Sequence, residues 1–199
     1  MQDDDSLWTD VSPDAARRLL LAALDSFASI GYHATTTRDI AARAAMSPAA
    51  VYVHFASKEE LLQTISRIGH ESALQAFNVA LAAGTSPGER IRNAVRAFTA
   101  WHIEHQTLAR VVQYELGSLQ NEGRREIRAL RASFEQKLRN EIEAGAATGE
   151  FSVDDIPGVA TAIFSLCIDV ARWFSPRGKR DPSAIADLYA ELCIRMISS

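Results

Sequence analysis

Apolar residues recur at spacings of three and four along almost the whole chain, the pattern of amphipathic helices. Over residues 13–30, Leu20, Leu24, Phe27 and Ile30 share one helical face. Ser12 before Pro13 suits a helix start, and Gly31 suits a left-handed stop. Two short helices are predicted next. Thr36 and Asp39 fit a capping box, followed by a narrow apolar face of Ile40, Ala41 and Ala44. The run breaks at Met46. Ser47-Pro48 restarts it as an N-cap followed by the residue best tolerated in a first turn, and the helix continues to about Phe55. Longer helices are predicted over 58–83, 88–105, 107–117 and 122–144, with the run GTSPG stopping the first and Gly145 the last. The helix over 122–144 carries Ile127, Leu130, Phe134, Leu138 and Ile142 on one stripe. Two more, over 156–174 and 182–197, flank the turn SPRGKRDP. No segment reads as a strand and no internal repeat appears. The pattern predicts an all-α fold of about nine helices.

The two terminal helices carry more apolar surface than one chain easily covers. In IPGVATAIFSLCIDVARWF only Asp169 and Arg172 are charged, and a helix apolar on nearly every face must be buried on nearly every face. Ile185, Leu188, Tyr189, Leu192 and Met196 add a second stripe. Pairing both helices with their copies would bury the surplus. The predicted interface comprises Ile163, Leu166, Val170, Phe174, Leu188, Leu192 and Met196.

The stretch TTRDIAARAAMSPAAVYVHFASKEELL, residues 36–62, is two short helices joined by a tight turn and followed at once by a third. Small residues at the crossing make this a helix-turn-helix whose second helix is sized for a major groove. Val51 and Phe55 pack inward, which leaves Ala49, Tyr52, Val53 and His54 facing elsewhere. Thr36, Ile40, Ala41, Ala44, Ser47, Tyr52, His54, Phe55, Ser57, Lys58 and Leu61 fall in register with the pattern T-x-x-x-I-A-x-x-A-G-V-S-x-G-T-L-Y-x-[YH]-F-x-[SN]-K-x-x-L. The segment therefore resembles the DNA-binding domain of the TetR family of transcriptional repressors. Two positions depart from the pattern: Ala45 replaces the turn glycine, and Ala49 the glycine early in the recognition helix.

The resemblance implies an arm and DNA-binding domain over 1–57, and a ligand-binding and dimerisation domain over 58–199. It implies a two-fold dimer joined by a four-helix bundle, bound to a near-palindromic operator of double-stranded DNA. Thr36, Thr37 and Arg38 would lie at the backbone or a flanking base, and Pro48 and Ala49 at a thymine methyl. Tyr52, His54 and Lys58 would reach phosphates, and Ser47 would cap the recognition helix and donate to another. A small molecule entering among the helices of 87–173 would release the DNA, with Trp101, His105, Tyr114, Phe134, Phe164 and Trp173 as pocket candidates. RWFSPRG and the arginine-rich helix 124–139 are similar to regulators of fatty-acid and sterol catabolism, which implies an acyl-CoA or other hydrophobic effector.

Composition adjusts this picture. The net charge is −4 over 199 residues. From Pro13 to Leu62, Arg17, Arg18, Arg38, Arg43 and Lys58 balance Asp14, Asp25, Asp39, Glu59 and Glu60. Phosphate contacts need only a local basic patch, but a neutral window predicts few ion pairs to DNA. Asp3, Asp4, Asp5 and Asp10 argue against a minor-groove arm. With small apolar residues on the reading face, operator shape is expected to carry much of the selectivity.

MQDDDSLW lacks the basic start and apolar stretch of a signal peptide, and no apolar run approaches a membrane span, so a cytoplasmic protein without membrane contact is expected. Cys167 and Cys193 show no ligand spacing and read as small buried hydrophobes. His102 and His105 span one helical turn but lack a third ligand, so no metal is expected. No nucleophile motif or glycine-rich phosphate loop appears, and neither enzymatic activity nor a cofactor is expected. The alternative is a helical small-molecule-binding protein with weak or lost sequence-specific DNA binding. Ser47, Tyr52, His54 and Lys58 count against it; the neutral reading head and Ala49 leave it open.

Overall fold

The structure, a computed structural model, describes residues 5–198. Asp3 and Asp4 of the acidic leading segment lie outside the described residues. Among the described residues there are nine α-helices and no strand: α1 (Asp14–Ile30), α2 (Thr37–Arg43), α3 (Pro48–His54), α4 (Lys58–Ala82), α5 (Pro87–Glu104), α6 (Gln106–Tyr114), α7 (Asn121–Thr148), α8 (Ile156–Trp173) and α9 (Pro182–Ile197). The chain divides into two compact units, one of Met1–His70 with His105–Arg128 and one of Glu71–Glu104 with Ala129–Ser199.

In the first unit α1 is the central element and packs against α2, α3 and α6. Its stripe of Leu19, Leu20, Leu24 and Phe27 is buried, together with Ile40, Val51, Leu61, Leu62 and Ile65. Ile30, expected on the same face, lies exposed at the end of the helix. Pro13 stands at the N-cap and α1 has no side-chain cap, so Ser12 does not serve as one. Gly31 donates its N–H to the Phe27 carbonyl at 3.0 Å and ends the helix. Its φ of 82° with ψ of 159° lies outside the left-handed helical region, in conformational space open essentially to glycine. The chain leaves α1 extended.

In the second unit α5 packs on α8 and α9. Phe98 is the hub of an aromatic cluster, with ring centroids 5.1 Å from Phe134, 5.3 Å from Phe164, 6.0 Å from Phe77 and 4.3 Å from His102. A second cluster joins Ile103, Val170, Ile185 and Tyr189, with Leu166, Trp173 and Phe174 packed against it.

Two expectations for this region need correction. Gly145 does not end α7, which runs on to Thr148. The stop is Gly149, at φ 77°. The Gly149 N–H reaches the Ala146 carbonyl (3.1 Å) and the Glu150 N–H the Gly145 carbonyl (2.9 Å), the bond pair of a Schellman motif. Gly145 is a packing glycine: a Cβ there would stand 2.1 Å from the Phe151 ring.

Ile163 and Val170, expected at the interface, are the second correction. Both are buried within the chain's own core, and Leu166 and Phe174 pack on the same core. The outward face of α8 is made of the small residues Thr161, Ala162 and Ser165, with Arg172. On α9, by contrast, Leu188, Leu192 and Met196 are exposed (50, 38 and 43 %) and form an apolar row at i, i+4, i+8. By length and composition α8 could cross a bilayer, contrary to expectation. Its inward stripe is instead seated on α5 and α9, and Asp169 and Arg172 pair across one turn of its outer side at 2.7 Å.

Gly149→Ala is expected to cost about 1 kcal/mol, from a side chain forced to positive φ. Gly145→Ala is expected to cost more, about 1–3 kcal/mol, because a ring rather than a flexible chain end must move. Urea unfolding of both variants checks the order.

Candidate nucleic-acid interface

The helix-turn-helix is built by local polar closure. Thr36 accepts the Asp39 N–H at 3.2 Å, while the Asp39 carboxylate accepts the Thr36 N–H at 2.8 Å and its hydroxyl at 2.6 Å. Orphan donors at the start of α2 are thus satisfied within four residues. The Thr36 hydroxyl, then its N–H, hold the Asp39 carboxyl below its ordinary value of 3.8. At the other end of α2, Arg18 donates to the Ala44 carbonyl. Ala45, where the family pattern carries glycine, has φ 54°, the one positive φ among described residues other than glycine. Ser47 accepts the Ala50 N–H at 3.3 Å and caps α3, with Pro48 in its first turn. The Ser47 hydroxyl proton stays available to an acceptor from outside.

α3 buries Val51, and Phe55 is buried just beyond its end. Pro48, Ala49, Tyr52 and Val53 lie exposed at i, i+1, i+4 and i+5, a continuous outward face. Tyr52 is 58 % exposed, and its hydroxyl lies 3.1 Å from the Thr37 hydroxyl, so the two helices present a paired-hydroxyl site at the surface. Val53 is 77 % exposed, the highest of the large exposed hydrophobics. Sequence reasoning placed it off the packing face but gave it no role. A β-branched residue on a face its helix does not bury was the available signal.

The cations of this region mostly have other work. Arg17 pairs with Asp14 and Arg43 with Asp25, each at 2.6 Å. The half-buried Lys58 donates to the carbonyls of Tyr32 (2.6 Å) and Thr35 (2.7 Å) and sits 4.2 Å from the Tyr32 ring centre. Burial lowers its pKa, and the nearby Glu115 charge acts against that. Lys58 thus ties down the turn between α1 and α2, and two of its three donors are already engaged. His54 is half-buried at the end of α3. Arg38 is exposed at the start of α2.

The six pocket candidates do not form one group. Phe134 and Phe164 meet in the Phe98 cluster, and Trp101 joins it through His102, 5.1 Å away. Trp101 Nε1 donates to Ser72 at 3.0 Å. Trp173 stands on Tyr189 at 6.4 Å, with the Arg180 guanidinium 5.7 Å over its ring. His105 is buried in the first unit. Tyr114 is 61 % exposed, because the inward stripe of α6 is Leu108, Val111 and Val112 and position 114 falls opposite it. It lines a cleft of about 440 Å³ with Asp25, Gly31 and Arg110. Phe98, the hub of the aromatic cluster, was not among the candidates. Among the described residues, no group of three or more His, Cys, Asp or Glu is placed to hold a metal ion.

Comparison with known proteins agrees with this geometry. Residues 14–65 match the profile of bacterial regulatory proteins of the tetR family, and residues 84–197 that of the tetracyclin repressor-like C-terminal domain. The chain belongs to the TetR family of transcriptional regulators. It is 30 % identical over 190 residues to the HTH-type transcriptional repressor KstR2 of Mycolicibacterium smegmatis, covering 92 % of this chain and 91 % of that protein. A tetR-family regulatory protein from Rhodococcus RHA1 superposes with a TM-score of 0.90 at 44 % identity, covering 94 % of this chain and 98 % of the other. The TetR-family regulator PfmR of Thermus thermophilus gives 0.83 at 31 % identity, covering 89 % and 97 %.

Two outcomes follow for the reading head. Ala45→Gly relieves a left-handed alanine and is expected to raise stability by up to about 1 kcal/mol, net of the added freedom of the unfolded chain, as read by urea midpoints. A carboxyl whose folded pKa is lowered contributes fully above its unfolded value, and the contribution is lost as pH falls through the folded one. Between about pH 5 and pH 3 the unfolding midpoint of Asp39→Asn should therefore fall less than that of the wild type.

Proposed function

We propose that the protein is a dimeric, cytoplasmic repressor that binds a near-palindromic operator and is released by a hydrophobic small molecule; we read it as a regulator, not a catalyst. The observation that carries the reading is the outward face of α3, where Pro48, Ala49, Tyr52 and Val53 are exposed on a helix whose other side and start are locked. Such a helix fits a major groove, with Ala49 and Val53 against thymine methyls and the Thr37–Tyr52 hydroxyl pair, Ser47 and Arg38 at phosphates. Lys58 has one donor left for a phosphate, and His54 stands at the same end. The sense of regulation follows that of the M. smegmatis relative, a transcriptional repressor.

The exposed row of Leu188, Leu192 and Met196, beside the small-residue face of α8, supports the dimer: small side chains let helices approach closely, and the apolar row needs a cover. The effector site is read as the Phe77, Phe98, Phe134 and Phe164 cluster. A ligand there acts only by binding the released state better than the DNA-competent one. An acyl chain would have to part these packed rings, and the cluster's apolar character suits one.

Fluorescence anisotropy with the DNA flanking its own gene, for wild type and Tyr52→Ala over a salt series, tests the reading. The wild type should prefer this DNA over random sequence, and the variant should lose roughly tenfold or more. Among the described residues Arg38 is the one exposed arginine of each reading head outside an ion pair or hydrogen bond. With Arg38 and the remaining donor of Lys58 each meeting one phosphate, log affinity should fall against log salt with a slope of about −4 per dimer. Equal, weak binding of both proteins to every duplex, including those selected from a random pool, would end the operator reading.

A further inference from the structure

The turn between α1 and α2 is held from two sides. On one, Lys58 takes the carbonyls of Tyr32 and Thr35. On the other stands Glu115, just past the end of α6 and 83 residues along the chain, whose Oε1 accepts the Tyr32 N–H at 3.1 Å. The Ser118 hydroxyl lies 3.4 Å from Glu115 Oε2 and 3.2 Å from His33 Nε2, so a second link reaches the next residue of the turn. The same segment continues onto α4: the Gln120 N–H donates to Glu59 at 2.6 Å, and Gln63 donates to Glu126 at 2.8 Å. Every one of these residues belongs to the first compact unit.

We propose that Glu115 is a positioning residue for operator binding, which aims the reading helices by holding the Tyr32 N–H. Tyr32 is buried, packed on Phe27 at 5.3 Å, so an N–H without an acceptor there is costly and the turn must re-form to satisfy it. Immediately beyond the turn's Tyr32–Thr35 bond lies Thr36, which with Asp39 forms the capping pair that starts α2. The first residue of α2, Thr37, holds the Tyr52 hydroxyl of α3. A change at residue 115 thus reaches the DNA face through the backbone of one turn and one hydroxyl pair. The negative charge also sits where it is felt: together with burial, the dominant cause, and the Glu59 charge, it raises the Tyr32 phenol pKa. Glu115 itself makes no DNA contact in this scheme, and nothing in the helix-turn-helix pattern reports it.

The inference rests on the operator-binding reading, and the test separates the two. A duplex is first selected from a random-sequence pool by the full-length wild type. Its affinity is then measured for wild type, Glu115→Ala and Glu115→Gln, beside affinity for unselected DNA, thermal midpoints and amide exchange over residues 31–40. Glu115→Ala should lose roughly tenfold for the selected duplex, as expected for a lost bond to a charged acceptor, with faster exchange in the turn. Affinity for unselected DNA should barely change, while the thermal midpoint falls by a few degrees, as the lost bond to a buried N–H requires. Glu115→Gln, whose amide oxygen still accepts the N–H, should stay within about threefold of wild type. Equal affinity of all three proteins for the selected duplex overturns the proposal while leaving operator binding intact. So does a parallel loss on both DNAs, or a glutamine variant as weak as the alanine one. A wild type that enriches no sequence overturns both.

Discussion

The reading head depends on how one turn's backbone polar groups find partners. Between α1 and α2 the chain must leave a helix, pass a buried tyrosine and start a new helix within a few residues, and it cannot close those groups by regular structure. A single ammonium, that of Lys58, takes two of the carbonyls and lies against the tyrosine ring. Because the donor sits at the first residue of α4, the same contact sets α4 against the turn that launches α2. Gly31 makes the geometry accessible, since its φ and ψ disfavour any side chain.

That arrangement explains why the head is electrically quiet. Arginines that would otherwise offer themselves to phosphate pair with Asp14 and Asp25 or close the end of α2. The surface left for DNA is one of hydroxyls, small apolar groups and one exposed arginine. Such a surface positions by hydrogen bond and shape complementarity more than by charge, which favours discrimination through the deformability of the duplex.

Much of this was legible beforehand, for a definable reason. The capping box at Thr36 and Asp39, the Ser47 cap and the inward pair Val51 and Phe55 are interactions between residues at most four apart, so the spacing itself carries the information. Where the deciding neighbour is remote, the reading failed. Gly145 looked like a helix stop, but its lack of a side chain answers to Phe151 folding back on it. Ile163 and Val170 looked like a subunit interface because α8 is apolar on too many sides, and periodicity cannot say which of two apolar faces meets the chain's own core. Tyr114 looked like a partner of the core aromatics by type, but the stripe of α6 turns it outward, where it lines a surface cleft instead.

The sequence by itself determined the helices, their order, the helix-turn-helix and the chemical character of its outer face, because local hydrogen bonding and helical period are written in neighbouring residues. Only the tertiary structure decided what Lys58 holds, which faces of α8 and α9 remain uncovered, how four phenylalanines from four helices meet, and that Glu115 reaches the α1–α2 turn. Those are contacts across dozens of residues, set by packing and by the demand that each buried polar group find a partner, and no local pattern encodes them.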